Sequence, residues 1–116
     1  MQYLLLIYDA ESNWSKMSEA EKGAMMQGYG AFTNSIRESK HYVGGNPLQP
    51  VATATTVRVR DGKTMTTDGP FAETREQLGG YYLVEAKDLD EAIGLAARIP
   101  SAKIGSIEVR PIMVMG

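Results

Sequence analysis

The chain has 116 residues and a formal net charge of −2, with 43% hydrophobic and 22% charged residues. That is the balance of one ordinary globular domain, without the basic excess that captures nucleic acid through its phosphates. No cysteine is present, which excludes disulfides, thiolate catalysis and Cys-ligated metal.

Gln2 to Tyr8 (QYLLLIY) is a continuous apolar run short enough for a buried central strand. Acidic residues follow it and no basic flank precedes it, so it reads as a strand and not as a secretion signal. No apolar run approaches the ~20 residues of a membrane span. A cytoplasmic protein without membrane contact is expected. Asp9 to Met17 reads as a polar loop carrying Trp14. Ser18 and Glu21 form a capping box that starts a helix. Met25, Tyr29, Phe32 and Ile36 give that helix one apolar face. Gly23, Gly28 and Gly30 weaken it and imply close packing against a sheet.

A short strand is expected around Tyr42 and Val43, ended by Gly44-Gly45-Asn46-Pro47. Thr53 to Arg60 alternates in the manner of a strand, and Asp61-Gly62 is a type I′ hairpin turn leading to a partner strand over 63–67. Gly80 to Ala86 is the next strand. Asp88 and Glu91 make a second capping box. Leu89, Ile93 and Ala96 form the apolar face of the helix it starts, flanked by Ala92 and Ile99, and Pro100 stops it. Ser106 to Met113 is a last strand, with Pro111 marking an edge, a bulge or its end.

This order is a single α+β domain over 1–116. It is a ferredoxin-like βαββαβ arrangement with an inserted hairpin, its antiparallel sheet covered on one face by two helices. The other face would be left bare, and packing two sheets in a homodimer is the natural remedy.

Between the hairpin and the Gly80 strand lies TDGPFAETREQLGGYYLVEA, residues 67–86. Asp68 reads in two ways: as an Asx-turn residue, or as a carboxylate at a pocket mouth acting as base or acceptor. Arg75 is either half of a weak surface pair with Glu73 or Glu76, or a bidentate grip on a carboxylate or phosphate. Gly79-Gly80 permits a bulge or a close backbone approach, most simply by a dimer partner. Tyr8 and Tyr81 flank the same region if the first strand neighbours the Gly80 strand. Their hydroxyls, like that of Tyr82, then need partners such as Asp68 or Arg58. His41, the only histidine, reads as a surface residue at a helix end. One His with scattered carboxylates offers no metal-ligand spacing, and no phosphate loop or dinucleotide fingerprint calls for a cofactor.

The run from Asp68-Gly69-Pro70-Phe71 through Gly79-Gly80-Tyr81-Tyr82-Leu83 resembles the signature of DGPF-domain proteins, within the wider YCII-related family. Tyr3 to Tyr8, Thr53 to Arg58 and Val109-Arg110-Pro111 resemble it too. The resemblance implies a dimeric α+β barrel of bacterial origin, often encoded beside an extracytoplasmic-function sigma factor. Many members of the wider group carry a His on the first helix and an Asp before a Pro after the second. Here the first helix has no His, and Ile99 precedes Pro100.

Two functional readings follow. In the first, a small and possibly anionic molecule binds near the 68–71 loop. Asp68 is then acceptor or base, Arg75 the anion anchor, Arg58 part of the wall, and Tyr8 or Tyr81 a donor. In the second, the dimer is a non-catalytic accessory protein whose charged loop contacts another protein, with a sigma factor as the candidate partner.

Overall fold

The computed structural model describes residues 1–115. Strand β1 (Gln2–Asp9) lies at the middle of a four-stranded antiparallel sheet, between β5 (Gln77–Glu85) and β6 (Ser106–Pro111), with β2 (Tyr42–Pro47) on the far side of β5. β1 alternates: Tyr3, Leu5 and Ile7 are buried, while Leu4, Leu6 and Tyr8 are half-buried on the opposite face. β5 repeats the pattern, with Tyr82 and Val84 buried and Tyr81 and Leu83 in register with Leu6 and Leu4. One face therefore meets the helices and the other meets none.

Helix α2 (Glu19–Glu38) starts at the expected capping box, with Ser18 and Glu21 bonded reciprocally. It drives Phe32 and Ile36 into a core of Leu5, Val84, Leu95 and Ile99. Each large side chain so buried contributes roughly 1.5–3 kcal/mol. Phe32 meets Tyr82 edge-on, ring centroids 5.2 Å apart. Of the three α2 glycines only Gly28 is tightly approached, by the Pro100 ring, and no sheet is involved.

Helix α3 (Leu89–Ala97) covers the other half of the same face. Its buried residues are Ala92, Leu95 and Ala96, while Leu89 and Ile93 are both 49% exposed. The expected Leu89–Ile93 face is thus rotated by about one residue. Ala92 and Ala96 turn inward beside Leu95, and Leu89 and Ile93 are left at the rim. The capping box is half-formed: the Asp88 side chain accepts from Glu91 N–H, but Glu91 Oε1 accepts from Lys87 N–H and not from Asp88.

Three further boundaries differ from expectation. Residues Glu11–Lys16 form a short helix, α1, where a loop is expected. It buries nothing, so apolar periodicity has nothing to register. It is held instead by Asn13 donating to Asp9 at 2.6 Å and by Gln77 Oε1 accepting from Glu11 N–H. β2 runs on through Gly44-Gly45, because a Cβ at Gly45 would lie 2.9 Å from the Tyr81 carbonyl, an approach that demands glycine. Pro47 is tolerated because β2 is an edge strand. β5 begins at Gln77, three residues early, through a bulge: Ile7 pairs Gly80 and Tyr8 pairs Leu78, which leaves Gly79 extra.

β3 (Thr55–Arg60) and β4 (Lys63–Asp68) form a separate two-stranded sheet. Its turn has φ of 51° at Asp61 and 74° at Gly62, as a type I′ turn requires. No other element packs substantially against either strand. The hairpin is an arm, and the molecule is a slab of 48 × 47 × 19 Å.

Candidate functional site

The side of the sheet away from the helices has a leucine floor. Leu4, Leu6 and Leu83 lie in register across β1 and β5, and Leu78 stands opposite Tyr8. Polar groups occupy the margins. Glu108 and Arg110 on β6 pair with Leu6 and Leu4, and Asn46 on β2 pairs with Tyr81. Tyr8 and Tyr81 both project onto this face, Tyr8 opposite Leu78 and Tyr81 opposite Leu6.

The partners of the tyrosines are not the expected ones. Tyr8 donates to Glu108 Oε1 at 3.4 Å. Tyr81 accepts from Asn46 Nδ2 at 2.9 Å, and its own proton meets no acceptor among the described residues. Tyr82 is on the helix face, bonded to Thr33 at 2.8 Å, and burial raises its phenol above the ordinary range. Neither Asp68 nor Arg58 bonds a tyrosine among the described residues. Arg110 donates to Glu108 Oε2 at 2.5 Å, and that bond raises the guanidinium further.

Arg58, Asp68 and Arg75 lie elsewhere. Arg58 pairs Met65, and Asp68 pairs Thr55. Arg58 is three residues from Thr55, so its side chain and that of Asp68 leave opposite faces of the arm. They do not act on one atom together within a single chain. Asp68 is exposed and its carboxylate accepts no hydrogen bond among the described residues, so it makes no Asx-turn there. The loop is turned by Gly69, at φ 99°, whose N–H donates to the Ala54 carbonyl at 2.7 Å. Thr56 Oγ1 donates to the Gly69 carbonyl at 2.9 Å.

Arg75 and Glu73 are exposed, and neither is in an ion pair among the described residues. Glu76 is engaged with Ser106 Oγ at 2.8 Å, which ties the loop to the start of β6. The close approach expected of a partner at Gly79-Gly80 is made within the chain: a Cβ at Gly80 would lie 3.1 Å from the Asn46 carbonyl, and none is hindered at Gly79.

Two open grooves lie on the helical side. One, of about 880 Å³, runs between α2 and the residues following α3, past Met25, Phe32 and Arg98. The other, of about 260 Å³, opens between α3 and β6. Neither includes a residue of 68–76. No group of three or more His, Asp or Glu is placed to hold a metal ion among the described residues. No helix is long and apolar enough to cross a membrane.

His41 is more engaged than its sequence position implies. Lys40, at φ 66°, ends α2, and His41 N–H donates to the Ile36 carbonyl. The imidazole then bridges Ser39 Oγ at 2.6 Å and Glu91 Oε1 at 3.1 Å. This Ser–His–Glu order resembles a hydrolytic relay in connectivity, but such a relay needs free N–H donors for an oxyanion. The N–H groups of Ser39, Lys40 and His41 all point to helix carbonyls. The cluster instead clasps the end of α2 to the start of α3. Only a long-range contact reveals it, since Glu91 lies 50 residues away.

Glu91 is held below the ordinary carboxylate range, first by Lys87 N–H and also by His41. A depressed folded-state value means that this stabilisation is present above the unfolded carboxylate's titration and is lost as pH falls through the folded one. Glu91→Gln is expected to flatten the acid limb of a Tm-against-pH curve while leaving the limb above pH ~7 parallel to wild type. Superimposable acid limbs would show that the clasp carries no linkage.

The YCII-related domain model matches residues 1–116. The chain is also 39% identical over 114 residues to an uncharacterised protein of Rhizobium meliloti (strain 1021), a match covering 97% of this chain and 92% of that protein. With its two-helix cover, its DGPF loop and a match from end to end, the chain belongs to the family of YCII-related domains.

Proposed function

We propose that this protein works as a homodimer that packs its two open sheet faces together and holds a small anionic molecule where the tyrosine end of that interface meets the 68–76 loop. It binds this molecule; among the described residues, no set on the sheet face provides both a base and an activated nucleophile. The observation that carries the reading is the free Tyr81 proton above a leucine floor. A hydroxyl that already accepts from Asn46 is oriented to donate, and an oxygen of a carboxylate or phosphate is the acceptor it suits. Arg75, exposed and without an ion-pair partner, is the available anchor on the loop.

A thermal-shift screen of small carboxylates and phosphates tests this. A ligand at ~100 times its Kd adds about 2.7 kcal/mol, a Tm rise of roughly 10 °C for a domain of this size. The rise is expected to shrink by half or more in Tyr81→Phe and in Arg75→Ala. A broad library that leaves the wild type unmoved rejects the small-molecule reading.

One observation favours a second reading, that of an accessory protein contacting another protein, for which the family resemblance suggests a sigma factor. Phe71 is 79% exposed on the charged loop, beside exposed Asp68. A loop presenting an aromatic among charges suits a protein surface.

A further inference from the structure

We propose that the β3–β4 hairpin is a dimerisation arm, which leaves its own body and docks its valine face on a second copy of this chain. The inference rests on the homodimer just proposed and adds the element that completes it.

The first ground is that the arm has no partner at home. β3 and β4 bond each other, and no other element packs substantially against them. Val57 and Val59 share one face and are 60% and 59% exposed, and Met65 on the reverse face is 53% exposed. A two-stranded hairpin alone in water is marginally stable. A valine-bearing one that projects from a slab is built to be covered.

The second ground is area. Four strands at ~4.8 Å spacing and ~3.3 Å per residue give the open sheet face a footprint of roughly 450 Å². A stable interface takes about 800 Å² from each partner, so the sheet face alone falls short. In a twofold dimer each copy gives one arm and receives one. An arm of two six-residue strands covers roughly 200 Å². The arm given and the arm received together close the gap.

The third ground is charge. The arm carries Arg58, Arg60 and Lys63 against Asp61 and Asp68, in a chain of net charge −2. The body without its arm is more acidic than the whole, so a basic arm is drawn to the body of another copy. The occupant of the valine face is therefore a second copy, not an unrelated protein of basic character.

The test uses the full chain. Sedimentation equilibrium across a concentration series is run on wild type, Val57→Asp/Val59→Asp and Val57→Thr/Val59→Thr. Far-UV circular dichroism and Tm report on the body, in which neither valine is packed. The Asp pair is expected to raise the dimer Kd by ~100-fold or more, and the β-branched Thr pair by less. If the Asp pair misfolds, the Thr pair carries the test, with a ~10-fold rise expected. A wild-type dimer that both variants form equally well overturns the arm and leaves the sheet-face dimer standing. A wild type that stays monomeric at the highest concentrations overturns both.

Discussion

Gly105→Ala is expected to destabilise the fold by ~3 kcal/mol, the upper end for overpacking, and to lower Tm by more than 10 °C for a chain of this length. A Cβ at Gly105 would collide with the Tyr8 carbonyl oxygen and lie 3.2 Å from Asp9 Cα. These are backbone atoms at the end of the central strand, so no side chain can swing aside to relieve them. Gly105 is pinned from its other side as well, its N–H donating to the Ser101 carbonyl at 2.7 Å. The junction must open, and with it the end of β1 that aims Tyr8 onto the sheet face. Ligand binding should therefore fall together with stability. Gly79→Ala is the control: it sits at the β5 bulge with nothing within 4 Å of a Cβ, and its cost should stay within about 0.5 kcal/mol. Urea midpoints read at constant m decide the matter. A Gly105→Ala midpoint equal to wild type would mean that the junction has slack which the packing does not show.

What the sequence made legible follows from the range of the signal. β1, the Ser18 capping box, the Asp61-Gly62 turn and the β6 alternation are all local, and all appear where the residues place them. α1 was missed because a six-residue helix that buries nothing leaves no apolar period. The buried face of α3 differs from the one its pattern predicts because Leu89 and Ile93 outweigh the alanines in hydrophobicity, although Ala92, Leu95 and Ala96 are the residues buried. The candidate site divides in the same way. Tyr8 and Tyr81 are legible because the pairing of β1 with β5 sets both on one face of the sheet. The partners of those hydroxyls, Glu108 and Asn46, are 100 and 35 residues distant in sequence, and no local pattern names them. Asp68 and Arg58 are expected around one pocket, but β4 runs on to Asp68, and an odd offset in strand register sends the two to opposite faces of the arm.

Leu6→Asp should separate the proposed dimer without unfolding the chain. Leu6 sits at the centre of the open face, in register with Tyr81 on one side and Glu108 on the other. It points away from the core that Leu5 and Ile7 enter. In an isolated chain the new carboxylate meets water, and stability should change by no more than about 1 kcal/mol. At a sheet-to-sheet interface the same carboxylate is desolvated with no cation free to receive it, since Arg110 is already committed to Glu108. Glu108, directly across the strand pair in the same chain, adds a like-charge repulsion that strengthens when an interface excludes water. Burying such a group costs several kcal/mol, so the dimer Kd should rise by ~1,000-fold, about 4 kcal/mol. Leu5→Asp, one residue away, puts its charge into the helix-covered core and should abolish folding. That contrast would assign the two faces of one strand to different work, Leu5 to the fold and Leu6 to the proposed assembly. Sedimentation equilibrium over the micromolar range reads the difference. A Leu6→Asp chain that dimerises like wild type would move the interface off the sheet, and the tyrosine end would lose the second wall that a bound anion requires.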